Sequence, residues 1–214
     1  LLGWRIGDAT GQSGPMPSYN LLPDSFVIVC TASAVAAMSV YGPTISLASF
    51  PSLDNTGDVI YLRSPQNRII HSVSYTDAWY QNELKKDGGW TLEMIDTKNP
   101  CSGFTNWKAS VDVKGGTPAK KNSIDAVNVD AQAPQLIRAF AIDSVNISLV
   151  FDEPLDSLKA ATVGNYSISD GIGTPQSVIV VAPVFDKVTI RLNAALARNK
   201  VYTITVSHVT DCKG

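Results

Sequence analysis

The stretch Asn146-Ile147-Ser148-Leu149-Val150-Phe151 puts Ile147, Leu149 and Phe151 on one side of an extended chain and Ser148 and Val150 on the other. Successive side chains of a strand point to opposite faces, so this alternation predicts a β-strand with one face turned to a core. The same period of two recurs at Val188, Ile190 and Leu192, and again at Tyr202, Ile204 and Val206. Earlier in the chain it returns in Phe26-Val27-Ile28-Val29-Cys30, in Val59-Ile60-Tyr61-Leu62, and in the face shared by Ile69, His71, Val73 and Tyr75. Turn-forming clusters separate these runs, among them Ser52-Leu53-Asp54-Asn55-Thr56-Gly57-Asp58, Ser64-Pro65-Gln66-Asn67 and Ser169-Asp170-Gly171-Ile172-Gly173. Many short strands punctuated by Gly, Pro and Asn imply an antiparallel sandwich or barrel. One helical turn is expected, near Leu155 to Ala161.

Composition narrows the function. The 214 residues are 44% apolar, enough for one large or two small packed domains. Seventeen basic and 19 acidic residues give a net charge of −2, which supplies no electrostatic footprint for nucleic acid. No apolar run approaches the roughly 18–20 residues that cross a bilayer, and the longest candidate, Phe26 to Met38, is interrupted by Thr31 and Ser33. A domain boundary is expected between Ser123 and Pro134, after the turn-rich Lys114 to Asn122 and around Asp130-Ala131-Gln132-Ala133-Pro134, giving domains 1–126 and 127–214. Before residue 129 there are ten basic and eleven acidic residues, and seven and eight after it, so neither half is an electrostatic specialist. The chain opens at Leu1 without a Met or an export signal, which reads as a fragment of a longer protein.

Several ordered motifs carry a resemblance. Leu2-Gly3-Trp4-Arg5-Ile6-Gly7-Asp8, Ser25-Phe26-Val27-Ile28-Val29-Cys30, Asn55-Thr56-Gly57-Asp58, His71-Ser72-Val73-Ser74-Tyr75, Asp87-Gly88-Gly89-Trp90-Thr91-Leu92-Glu93 and Asn106-Trp107 together resemble the lamin-tail domain family. The likeness is to its bacterial, Bacteroidetes-type branch, found in secreted or surface proteins, with Asn99 to Gly103 and Gly116-Thr117-Pro118 as closing elements. The second half is similar to bacterial Ig-like domains of S-layer and surface proteins through Ala133-Pro134, Leu149 to Asp156, Asn165-Tyr166-Ser167-Ile168 and Tyr202 to Val206 leading to Cys212. The resemblance implies an all-β chain of two tandem immunoglobulin-like β-sandwiches. It also implies that two strands before Leu2 and one after Gly214 are missing from the stretch given, leaving sheet edges to be completed by a neighbouring chain or left as the ends of a fragment. The implied function is a non-catalytic structural or adhesion module pair of a larger exported or cell-surface protein, with the other domains of that protein, and a surface glycan or protein, as partners.

No Gly-x-Ser-x-Gly elbow, His-Glu-x-x-His pair, phosphate-cradling loop or dinucleotide fingerprint occurs, and no cofactor is expected. Of the two histidines, His71 lies on a strand face and His208 follows the last strand. Asp77, Glu83, Asp87, Glu93 and Asp96 cluster in sequence around two tryptophans, which superficially suggests a glycosidase acid pair beside sugar-stacking rings. The alternation around Trp90, Leu92 and Met94 instead turns Glu93 to the opposite face, toward a cross-strand partner. Asp152, Glu153 and Asp156 could offer oxygens to calcium, but they read as a solvated acidic turn. Trp79 and Tyr80 form the candidate ligand contact. Aromatic rings on loops bury large area at low entropic cost, and coplanar faces would make this chain a carbohydrate-binding module. Trp4 and Trp107 are a second pair of that kind. Of the three cysteines, Cys30 and Cys101 are the candidate disulfide, which leaves Cys212 free.

Overall fold

The computed structural model describes residues 1–129 and 132–212. Asp130 and Ala131 of the expected linker, and the terminal Lys213 and Gly214, lie outside the described residues. The chain divides into two units, Leu1–Asn128 and Val129–Gly214. It is all-β, and its helical elements are single turns.

Unit 1 contains β1 (Arg5–Gly7), β2 (Ile28–Cys30), α1 (Val35–Met38), β3 (Thr44–Ser46), β4 (Gly57–Arg63), β5 (Ile69–Thr76), β6 (Leu92–Met94) and β7 (Trp107–Ala109). Strands β1, β4 and β5 form an antiparallel sheet, with Ile6 opposite Leu62 and Leu62 opposite His71. A bulge between Leu62 and Arg63 shifts the register of the β4–β5 pair where the Ser64-Pro65-Gln66-Asn67 turn begins. Two further pairs complete the unit: β2 and β3 run parallel, while β6 and β7 run antiparallel. The segment after β1 folds back along it, with Ser13 N–H donating to Ile6 O at 2.7 Å and Met16 N–H to Trp4 O at 2.7 Å. Gly7 lies against the Tyr61 ring across the strand pair, so a Cβ there would force that ring aside. Met16, Ile45 and Leu47 are the buried centre, with Trp4, Ile6, Val27, Val29 and Leu62 packed around them.

Unit 2 contains β8 (Leu136–Ala141), β9 (Asn146–Phe151), α2 (Ser157–Ala160), β10 (Tyr166–Ile168), β11 (Ser177–Val180), β12 (Lys187–Arg191) and β13 (Ile204–Val206). Its antiparallel four-stranded sheet runs β11-β12-β9-β8, and β10 pairs with β13. The register sets Leu149 opposite Val188 and Ile147 opposite Ile190. The apolar sides of β9 and β12 therefore coincide, and with Phe151, Leu192, Tyr166 and Ile168 they form one buried cluster. Each such aliphatic side chain contributes about 1.5–3 kcal/mol on leaving water. The expected helical turn is α2. Its start is set by Asp156, whose carboxylate accepts the N–H groups of Leu158 and Lys159. α1 carries no such cap and was not legible from the sequence.

Candidate functional site

Strand β5 ends at Thr76, and the chain turns through a 3-10 turn at Asp77–Tyr80 that carries the aromatic pair. Gln81, with φ of 51°, stops the turn in the left-handed region. Trp79 is 9% exposed. Its ring meets Phe104 edge-on, centroids 6.3 Å apart, and Trp107 at 6.1 Å with a 40° tilt. Tyr80 donates its hydroxyl to the Trp90 carbonyl at 3.1 Å, and burial raises its pKa above the usual phenol value. The Lys85 ammonium stands 4.0 Å from the Trp90 ring centroid and donates to Ser110 O at 2.5 Å. Trp79 is thus a packing residue, and Tyr80 is tied to the segment that leads into β6. The pair of open, coplanar faces that carbohydrate binding would need is not formed. Trp4 packs in the Met16 cluster, and Trp107 packs against Trp79.

The carboxylates resolve into separate structural roles. Glu93 is buried and accepts Thr117 Oγ1 at 2.5 Å, and Ser123 N–H and Oγ at 2.7 Å each. Burial by itself would raise its pKa, but the hydroxyls of Thr117, Ser123 and Ser110 and the Ser123 N–H outweigh it and hold the carboxyl below its usual value. The cross-strand residue is Lys108, which is exposed, so the expected cross-strand pairing gives way to a tie between β6 and the 117–123 loop. Glu83 pairs with Lys86. Asp8 is buried, and its Oδ1 accepts Thr10 N–H, Thr10 Oγ1 and Gly11 N–H, bonds that depress its pKa. Asp8, Asp54, Asp58 and Tyr75 line an open depression of about 450 Å³. There Tyr75 donates to Asp54 O at 2.6 Å, and its pKa is raised by burial and then by the charges of Asp58 and Asp54. Asp152 Oδ1 accepts Gln135 N–H at 2.7 Å while Asp156 caps α2, so two of the three oxygen donors considered for calcium serve the backbone. Among the described residues no group of three or more His, Cys, Asp and Glu is placed to hold a metal ion. His71 keeps its strand position, and desolvation lowers its pKa.

The cysteine expectation is corrected. Cys30 is the free, buried thiol, whereas Cys101 and Cys212 are disulfide-bonded. Cys30 ends β2 on its buried side, with its carbonyl accepting Leu47 N–H, and behaves as a small apolar side chain. Cys101 lies in a loop built on a buried amide network that sequence reasoning missed. Asn106 donates to Asp96 O at 2.8 Å and Asn99 O at 2.6 Å, while its Oδ1 accepts Asp96 N–H and Asn128 Nδ2. Isolated asparagines in a turn-rich stretch give no periodic signal by which to find such a network.

A groove of about 810 Å³ in unit 1 is lined by residues of β2 and β6 and the segments that flank them, among them Phe26, Ile28, Tyr41, Trp90 and Leu92. Elsewhere no helix among the described residues is long and apolar enough to cross a membrane.

Residues 109–214 match the bacterial Ig-like domain family, a span that starts in β7 and continues through unit 2. Two solved structures are similar to part of the chain. The crystal structure of the S-layer protein rSbsC(31-844) is 29% identical over 39% of this chain and 12% of that one, with a TM-score of 0.36. The crystal structure of the N-terminal part of the bacterial S-layer protein SbsC is 30% identical over 37% of this chain and 20% of that one, with a TM-score of 0.34. This chain therefore spans a fifth or less of the length of those structures. No curated protein matches it.

Proposed function

We propose that this chain is a non-catalytic structural module pair of a larger exported or cell-surface bacterial protein, and that it spaces or anchors the domains on either side. The observation that carries this reading is the bacterial Ig-like match over residues 109–214, in a chain whose strands bury their apolar faces in ordinary cores. The disulfide-bonded Cys101 and Cys212 support export, because such bonds persist in oxidising compartments and are rare in the cytosol. The lamin-tail resemblance of residues 1–126 supports a second β-sandwich of the same modular kind. The carbohydrate-binding alternative loses its main support once Trp79 turns its ring toward Phe104 and Trp107. The test is domain replacement in the full-length protein. Exchanging residues 1–214 for an unrelated pair of β-sandwiches of equal length should restore display of the neighbouring domains. If only the native pair restores it, spacing is not the role.

A further inference from the structure

We infer that the groove between β2 and β6 is a docking site for an extended, acidic-apolar segment of a partner polypeptide, which adds to the open edge of β2 as a further strand. This goes beyond the spacer reading, since a spacer needs no groove.

Three observations meet there. The first is an unpaired edge. In the parallel β2–β3 pair, Ile28 N–H bonds Pro43 O and Cys30 O accepts Leu47 N–H, so Ile28 and Cys30 face β3. By the alternation of strand backbones, Val27 and Val29 aim their N–H and C=O groups the other way, where no strand pairs with β2 among the described residues. At the two ends of the β6–β7 pair, Thr91 O accepts Ser110 N–H and Ile95 N–H donates to Asn106 O, which leaves the Leu92 backbone turned away from β7.

The second observation is apolar surface that folding leaves uncovered. Phe26 is 43% exposed, and Leu21 and Tyr41, which also line the groove, are exposed with it. Such contiguous patches mark interaction sites on soluble domains. A strand laid along β2 would gain main-chain hydrogen bonds from the edge, and its alternate side chains would reach Phe26, Ile28, Trp90 and Leu92.

The third is charge. Three charged residues line the groove: Glu93, Lys114 and Lys120. Glu93 is buried and spends its oxygens on Thr117 and Ser123, whereas both lysines are exposed at the rim. The field at the mouth is therefore positive, and it selects a segment in which acidic residues alternate with apolar ones.

The probe is a seven-residue peptide of alternating Glu and Val, acetylated and amidated, titrated into the whole chain by calorimetry. It is compared with the Lys/Val peptide and with a Glu/Val peptide N-methylated at alternate backbone positions. Saturable binding of the Glu/Val peptide is expected, at least tenfold tighter than that of the Lys/Val peptide. The N-methylated peptide should lose it, because its backbone cannot pair with β2. Lys114→Glu with Lys120→Glu, both exposed, should weaken it tenfold or more with an unchanged circular dichroism spectrum, and Phe26→Ser should weaken it as well. Absence of binding, equal binding of all three peptides, or retention by the N-methylated one would overturn the proposal. So would a dimer in light scattering that Phe26→Ser dissolves, since a second copy would then be the occupant.

Discussion

Tyr166 offers a quantitative test of the unit 2 core. It is 1% exposed, and its hydroxyl donates to the carbonyl of Ala160, itself fully buried, at 2.6 Å. Tyr166→Phe removes the donor and strands that carbonyl in an apolar setting, which costs about 1–3 kcal/mol of stability near neutral pH. Burial also pushes the Tyr166 pKa from 10.0 up to about 12. The folded state thus holds this proton more tightly than the unfolded chain does. The stability so gained is fully present below pH 10 and drains away as pH rises through 12, by roughly 2–3 kcal/mol in total. Phenylalanine has no such proton. The gap between wild type and Tyr166→Phe should therefore be widest near pH 8 and should close between pH 10 and 12, while other tyrosines titrate equally in both proteins. Urea denaturation followed by far-ultraviolet circular dichroism at pH 8, 10 and 11.5 measures it. A variant within 0.5 kcal/mol of wild type at pH 8, or a gap that stays constant with pH, would refute the reasoning.

Other consequences are as direct. Leu149→Ala, at a position with 0% exposure in the unit 2 core and opposite Val188, should cost about 2–5 kcal/mol in the same assay. Glu93→Gln should destabilise unit 1, read by tryptophan fluorescence, because an amide cannot accept every bond from Thr117 and Ser123 at once. As the folded pKa of Glu93 is depressed, its contribution is present above the unfolded carboxyl value near 4.5 and is lost as pH falls below it, so the penalty of Glu93→Gln should shrink in acid. Thiol titration of the denatured, unreduced chain should count one reactive group, rising to three after reduction. Trp79→Ala should lower the unit 1 melting point, with a cost of about 3–5 kcal/mol, and leave binding across a glycan array unchanged.

Much of the β framework is legible in the sequence because period-two alternation is imposed by a half-buried strand. The runs around Ile147, Val188 and His71 became β9, β12 and β5, and the helical turn expected near Leu155 to Ala161 became α2. The run from Phe26 to Cys30 shortened to Ile28–Cys30, since its first residues face the groove without a strand partner. The partnering of side chains was not legible. Glu93 chose a loop twenty-four and thirty residues away rather than its neighbour across the strand pair. The disulfide state of Cys101 and Cys212, and the Asn99-Asn106-Asn128 network, depend on loops that carry no periodicity. Burial of Trp79 followed from Phe104 and Trp107 arriving from a distant turn, a closeness that spacing does not encode.

The central claim is that this module pair works outside the cytoplasm. Biotinylation of intact cells that make the full-length protein, with a membrane-impermeant amine reagent, addresses it directly, because lysines such as Lys114 and Lys120 are exposed. Peptides from residues 1–214 should carry the label before lysis. Label that appears only after the cells are broken would contradict the account.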